Sequence, residues 1–134
     1  MKRELQESYT LEELCEIVAD LRSPEGCPWD RVQDYDSIKT CLRDETQEVL
    51  DAVDHRDIEN LKEELGDLLL QVIFYAQLAR EDGLFTLEDV MNGLGRKLVR
   101  RHPHVFGDAK AETPEEALAL WRSVKKKERE EGYR

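Results

Sequence analysis

The chain has 134 residues, a formal net charge of −11 at pH 7 and a charged fraction of 38%. Such an acidic chain is repelled by nucleic-acid backbones and anionic lipids, which argues against a general nucleic-acid or membrane binder. The length predicts a single domain over residues 1–134, large enough to bury a core of its own.

The expected compartment is the cytoplasm. Residues 1–8 are predominantly polar and contain no apolar segment like that of a signal peptide. The longest apolar run, residues 68–76, is far shorter than the ~20 residues that span a bilayer. Three cysteines without C-x-x-C spacing are typical of reduced thiols rather than of a disulfide framework or a zinc site.

Capping residues, helix-stopping prolines and apolar spacing predict an all-α fold of about five helices. Thr10 and Glu13 form a capping-box pattern at the first helix, and Thr113 followed by Pro114 is typical of the start of the last. No segment shows a convincing strand pattern. The predicted helices cover residues 11–21, 37–55, 58–81, 87–101 and 114–130.

The second and third predicted helices are joined by a short connection, which makes them antiparallel neighbours as in helical bundles. In the third helix, residues 68–76 are apolar nearly all round, so this stretch should be covered on more than one side. A chain of 134 residues has few helices to cover it. We therefore expect a helical dimer.

Two pairs of carboxylates lie on this predicted hairpin: Glu45 with Glu48, and Glu64 with Asp67. Residues three apart share one face of a helix, so each pair projects in one direction. Glu45 falls in the middle of the apolar stripe of residues 38–53, and Glu48 falls on its edge. An ionised carboxylate buried without a partner costs several kcal/mol, and no inward lysine matches these four. We therefore predict a divalent metal ion between the pairs.

The oxygen ligands favour Mg²⁺, with Mn²⁺ as a substitute. A di-iron bundle would need Glu-x-x-His on two helices, but Asp51 and Asp67 occupy the histidine positions. The alternative is an ordinary solvated helix surface, where such acidic pairs are common. The flanking acids Asp44, Asp51 and Glu63 turn away from the seam, and Gly66 either permits close helix approach or is a tolerated packing glycine.

A basic and aromatic group follows in the last two predicted helices. Lys97 and Arg101 lie one turn apart and can bind phosphate oxygens, or they pair with the helix dipole for ~0.3–1 kcal/mol each. Trp121 and Lys125 either stack on a base and hold a phosphate, or form an aromatic core contact beside a solvated charge. No glycine-rich phosphate loop is present, so phosphate chemistry would require metal ions with Lys and Arg.

Four sequence blocks, in order, resemble the MazG-type nucleoside triphosphate pyrophosphohydrolases over about residues 11–127. They are Cys27-Pro28-Trp29-Asp30, Asp44-Glu45-Thr46-Gln47-Glu48-Val49, Glu63-Glu64-Leu65-Gly66-Asp67-Leu68-Leu69 and Arg100-Arg101-His102-Pro103-His104-Val105-Phe106-Gly107. The resemblance implies an all-α fold with a four-helix core, usually dimeric. It also implies Mg²⁺-dependent cleavage of nucleoside triphosphates to monophosphate and pyrophosphate.

The resemblance also implies roles for individual residues. The family's metal-ligating acids, which are its catalytic residues, correspond to Glu45, Glu48, Glu64 and Asp67. Its nucleotide-contacting residues correspond to Lys97, Arg101, Trp121 and Lys125. Asp44 departs from the family motif, which has the longer Glu at that position. Many relatives carry two such modules in tandem, whereas this sequence contains one.

The expected function is therefore house-cleaning hydrolysis of nucleoside triphosphates in the nucleotide pool, by a homodimer or a dimer of dimers. Two alternatives stay open. The substrate could be a phosphoribosyl nucleotide or one specific pyrimidine triphosphate. Otherwise the chain could be a non-catalytic helical module that binds a nucleotide or a partner protein, with Asp44 marking a decayed site.

Overall fold

A computed structural model describes residues 1–132 and confirms the all-α prediction. Within that range the chain forms seven helices and no strand. They are α1 (Leu11–Leu21), α2 (Pro28–Arg31), α3 (Ile38–Asp54), α4 (Ile58–Glu81), α5 (Leu87–Arg101), α6 (Pro103–Phe106) and α7 (Pro114–Glu131). The last two residues of the domain predicted over 1–134 lie outside the described part.

The five long helices begin within one residue of their predicted starts. The Oγ1 of Thr10 accepts from the backbone N–H of Glu13 at 3.1 Å, and the carboxylate of Glu13 accepts from the backbone N–H of Thr10 at 3.0 Å. The predicted capping box is therefore formed. The two additional helices are single turns that open on Pro28 and Pro103, because proline's fixed φ suits the first helical position.

Backbone contacts divide the chain into two compact units, Met1–Leu87 and Glu88–Arg134. The core of the first unit is an apolar cluster contributed by α1, α3 and α4, and its buried members are Val18, Ile38, Ile73, Phe74 and Leu78. Burial of each such side chain contributes about 1.5–3 kcal/mol. This core fixes α3 against α4. That a single domain covers the whole chain stays a prediction.

Helices α3 and α4 form a tight helical hairpin. The turn passes through Arg56, whose φ of 54° is left-handed, and the N–H of Asp57 donates back to the carbonyl of Ala52 at 3.1 Å. The Asp57 carboxylate then caps α4 by accepting from the N–H of Asn60 at 3.2 Å. The short turn makes the two helices antiparallel neighbours, as the sequence predicts.

The connection between α1 and α3 is tied to the end of α4 through Arg22. Its guanidinium donates to both carboxylate oxygens of Glu81, at 2.7 and 2.9 Å, and lies 5.4 Å from the ring centre of Phe74. It also donates to the carbonyls of Asp30 and Gln33, at 2.5 and 3.0 Å. The connection is therefore held from several directions by one side chain that is 9% exposed.

One face of α4 stays exposed in the isolated chain. Ile73 and Phe74 are buried, whereas Leu65, Leu69 and Val72 are 49%, 41% and 42% exposed. The expectation that residues 68–76 are covered on more than one side is therefore not met within one chain, and the dimer stays a prediction. Among the described residues, no helix combines the length and the apolar character that crossing a membrane requires.

Candidate active site

The α3–α4 hairpin brings four carboxylates to one place. Glu45 and Glu48 come from α3, and Glu64 and Asp67 come from α4. One ligand oxygen from each residue can be chosen so that all four lie within 4.8 Å of one another. Two pairs with i,i+3 spacing on antiparallel helices produce this arrangement directly. That these residues hold a metal ion stays a prediction.

Two oxygens of the cluster are buried without a hydrogen-bond partner in the described chain, Glu45 Oε2 and Glu64 Oε2. Glu48 is more exposed than Glu45, in line with its place at the edge of the apolar stripe. Among residues 1–132, none of the four carboxylates forms an ion pair with Lys or Arg. The cluster therefore lacks a positive partner within the described part of the chain.

The repulsion within the cluster shows in the pKa values. The pKa of Glu64 is raised to about 7, and the largest cause is a hydrogen bond with the carboxyl of Glu48. Burial and the negative charges of Glu48 and Asp67 raise this pKa further. Burial, followed by the hydrogen bond and charge of Glu48, raises the pKa of Glu45. The carboxylate oxygens converge, two of them are buried without a partner, and the raised pKa values favour the protonated form near neutral pH. These three properties fit a site for a divalent cation such as Mg²⁺.

The flanking acids lie outside this cluster. Asp44, Asp51 and Glu63 are all exposed, as the helical spacing predicts. The Glu-to-Asp departure at position 44 therefore removes none of the four clustered carboxylates. A Cβ at Gly66 would meet no atom within 4 Å, so no close helix approach within the described chain depends on this glycine.

The second unit brings together three of the four predicted nucleotide-contacting residues. The guanidinium carbon of Arg101 lies 5.6 Å from the centre of the Trp121 ring, and Lys125 Nζ lies 4.8 Å from it. Both are cation–π distances. Lys97 is half-buried on α5, one turn before Arg101. Their roles in binding a nucleotide stay predictions.

Glu128 is a site residue that the sequence analysis missed. Its side chain is 4% exposed, Oε1 accepts from Arg100 Nε at 2.5 Å, and Oε2 accepts from Arg101 Nε at 3.1 Å. The hydrogen bond from Arg101, followed by that from Arg100, lowers the pKa of Glu128. The available signal is spacing, because Trp121, Lys125 and Glu128 follow the i,i+4,i+7 pattern of one helix face.

The second unit also contains an open cleft of about 480 Å³. Two histidines line it together with an apolar wall: His102, His104, Pro114, Ala117, Leu118 and Trp121. Among these residues, only Trp121 has a role that the sequence predicts. The cleft therefore adds candidate binding residues from α6 and from the first turns of α7.

Comparison with known proteins places residues 33–106 in the family model described as the MazG nucleotide pyrophosphohydrolase domain. The chain is 51% identical over 118 residues to "Nucleoside triphosphate pyrophosphohydrolase/pyrophosphatase MazG" of Thermotoga maritima, covering 88% of this chain and 45% of that protein. It is 48% identical over 120 residues to "Nucleoside triphosphate pyrophosphohydrolase" of Escherichia coli K12, covering 89% and 46%. The chain thus spans about half the length of the curated relatives it matches.

A solved structure has the same fold. The crystal structure of a mazG-related protein from Thermotoga maritima superposes with a TM-score of 0.71 at 33% sequence identity. The match covers 87% of this chain and 99% of that one. The similarity therefore extends beyond the hairpin that carries the four carboxylates.

Proposed function

Since this chain belongs to the MazG nucleotide pyrophosphohydrolase family, we propose that it hydrolyses nucleoside triphosphates to nucleoside monophosphate and pyrophosphate. The observation that carries the proposal is the carboxylate cluster, whose oxygens converge within 4.8 Å without a positive partner among residues 1–132. A helical protein has no structural use for four converging acids, because their repulsion opposes folding. A cation-dependent reaction gives them a use.

The cation is proposed to be Mg²⁺, with Mn²⁺ as a substitute, held by Glu45, Glu48, Glu64 and Asp67. When bound, such an ion would offset the charge of the phosphate oxygens and make a water molecule more acidic. The carboxylates would hold such an ion and would accept hydrogen bonds from water.

The second unit is proposed to bind the nucleotide. Glu128 engages Nε and Nη2 of Arg101, which leaves the Nη1 donors for a phosphate oxygen. Lys97 and Lys125 would add charge that offsets the negative charge developing on the leaving pyrophosphate. Trp121 would contact the nucleoside. Because Arg101 is anchored by a buried carboxylate, its guanidinium needs little ordering when substrate binds.

Three further features belong to the proposal. The exposed face of α4 is proposed to pair with a second copy of the chain, as a homodimer or a dimer of dimers. The cellular role is proposed to be removal of unwanted nucleotides from the pool. The compartment is proposed to be the cytoplasm, where both nucleoside triphosphates and Mg²⁺ are available.

Pyrophosphate release from a panel of canonical and damaged nucleoside triphosphates tests the function, with Mg²⁺ and with chelator. We expect Mg²⁺-dependent release that Glu64→Gln lowers by about 100-fold or more, since even groups that only support a metal ligand change activity by about 10–100-fold. Glu59→Gln is the matched control, because it removes the same charge from an exposed position on the same helix. No release from any substrate by folded protein, or equal release by wild type and Glu64→Gln, would overturn the proposal.

A further inference from the structure

The cleft of the second unit has the size and lining of a small-molecule site. Its volume of about 480 Å³ falls within the ~300–1,000 Å³ typical of ligand pockets. Pro114, Ala117 and Leu118 give it an apolar wall, and Trp121 adds an aromatic surface. The polar groups that would orient a ligand are the imidazoles of His102 and His104, whose ring centres lie 5.6 Å apart.

The hydrogen bonding of His102 determines which of its nitrogens carries the proton. Its Nδ1 lies 2.6 Å from the backbone carbonyl oxygen of Leu98. A carbonyl oxygen can only accept, so Nδ1 must carry the hydrogen of this bond. In the neutral ring the other nitrogen, Nε2, is then an acceptor. His102 therefore offers the cleft a hydrogen-bond acceptor.

His104 has the opposite arrangement. Its Nδ1 is buried and has no hydrogen-bond partner in the described part of the chain. A proton on Nδ1 would leave a buried donor unsatisfied, and buried orphan N–H groups are rarer than buried orphan acceptors. The proton therefore belongs on Nε2. His104 offers the cleft a hydrogen-bond donor.

The cleft presents a hydrogen-bond acceptor on His102 and a donor on His104 beside the ring of Trp121. A ligand that matches them is flat and carries both a donor and an acceptor. We propose that this cleft binds the nucleobase of the substrate, with His102 accepting from and His104 donating to the polar edge of the base. A phosphate presents acceptors only and would satisfy His104 but not His102, whereas the edge of a base carries both kinds of group. The inference rests on the proposed function and names the part of the nucleotide that these two histidines recognise.

Binding of reaction products without metal tests this separately from catalysis. Isothermal titration at pH 8 would compare the 5′-monophosphates of adenosine, guanosine, cytidine and uridine with ribose 5-phosphate. We expect at least one monophosphate to bind about fivefold or more tightly than ribose 5-phosphate, the effect of one or two hydrogen bonds. Equal affinity for all five ligands would overturn the inference.

Substitutions of His102 and His104 then test whether their rings cause the preference for a nucleoside monophosphate over ribose 5-phosphate. His104→Phe and His102→Phe should each reduce the preference over ribose 5-phosphate by about fivefold, while His104→Gln should retain most of it because its amide N–H can stand in for Nε2. His55→Gln is the control, since His55 lies at the end of α3 in the first unit. Circular dichroism would confirm that each variant is folded. Unchanged preference in either folded Phe variant would overturn the assignment.

The two experiments separate the two proposals. Base preference without pyrophosphate release from any triphosphate would retain the cleft assignment and overturn the hydrolytic function. Pyrophosphate release with equal affinity for all monophosphates and ribose 5-phosphate would overturn the cleft assignment alone.

Discussion

Glu64 sits among three other acids, and the consequence is a carboxyl group that stays partly protonated near neutral pH. Its pKa of about 7 compares with an ordinary value of 4.5. The first cause is its hydrogen bond with Glu48, which requires a proton between the two carboxyls. A cation that binds here must displace that proton, so binding of metal and release of protons are coupled.

This shift predicts how the metal-free protein responds to pH. Between about 4.5 and about 7 the folded state binds more protons at Glu64 than the unfolded state does, so the free energy of unfolding falls as pH rises through this window. We expect the melting temperature in chelator to fall between pH 5 and pH 8. The fall should be smaller in Glu64→Gln, in which the titrating group is absent.

Thermal melts at four pH values across that range measure the effect. Glu59→Gln, whose acid is exposed and paired with Lys62, corrects for the general effect of removing one negative charge from an acidic protein. Identical pH profiles for wild type and Glu64→Gln would contradict the raised pKa.

Glu128 makes a second prediction at the scale of a residue. Replacing it with Gln removes the charge that holds Arg100 and Arg101, so Arg101 loses its fixed position next to Trp121. We expect the variant to melt at a lower temperature and to raise KM for nucleoside triphosphate by about 10-fold, because misplaced binding groups weaken substrate positioning.

The stability that Glu128 contributes changes with pH in the opposite direction to that of Glu64. The pKa of Glu128 is lowered in the folded state, so its contribution is present above its ordinary value and is lost as pH falls through the lowered one. Glu130→Gln is the matched control, since Glu130 is exposed on the same helix. Equal KM and equal melting temperature in the two variants would show that Glu128 does not position Arg101.

At the scale of elements, the connection between α1 and α3 depends on Arg22. Arg22→Lys keeps the charge but cannot bridge both oxygens of Glu81 while reaching two carbonyls. We expect a loss of about 2 kcal/mol in the free energy of unfolding, since the partly buried carbonyls of Asp30 and Gln33 lose a donor and the two-point contact with Glu81 is broken. Urea denaturation measures it, with Arg80→Lys on the exposed side of α4 as control. A change below about 0.5 kcal/mol, typical of a surface substitution, would contradict this role.

The long helices could be predicted from sequence because their signals are local. Thr10 and Asp57 cap the helices that follow them, and the apolar spacing of α3 places Glu45 and Glu48 correctly on the hairpin. The single-turn helices α2 and α6 could not be predicted in the same way, because four residues are too few for a helical period.

Glu128 shows the other limit of sequence reasoning. It lies in a mixed-charge segment that is typical of a solvated helix end, and its burial depends on arginines from another helix. The spacing places Glu128 on the same helix face as Trp121 and Lys125, but the hydrogen bond from Arg101 joins residues 27 positions apart, so no local pattern identifies its arginine partners. The tautomers of His102 and His104 are likewise invisible in sequence, because burial and a backbone carbonyl determine them.

At the scale of the whole molecule, the proposed dimer depends on the exposed face of α4. Leu65, Leu69 and Val72 follow i,i+4,i+7 spacing and form an exposed apolar stripe. An apolar stripe of this kind favours association with another apolar surface. We expect the wild-type chain to elute as a dimer or larger, and Leu69→Lys to shift it towards the monomer by placing a charge in the interface.

Size-exclusion chromatography with light scattering measures the mass of each variant. Val32→Lys is the control, because Val32 is 74% exposed on the connection between α1 and α3. A monomeric wild type, or a Leu69→Lys variant of unchanged mass, would contradict the proposed interface.

The tight turn through Arg56 has a consequence for the order in which the protein folds. The clustered acids lie within residues 45–67, on helices that are consecutive in the chain. Contacts between consecutive helices close early, because little chain entropy is lost in forming them. The like charges therefore meet while much of the chain is still unfolded, and their repulsion opposes the first step of assembly. We expect a cation or a shared proton that neutralises these charges to speed the folding of the hairpin.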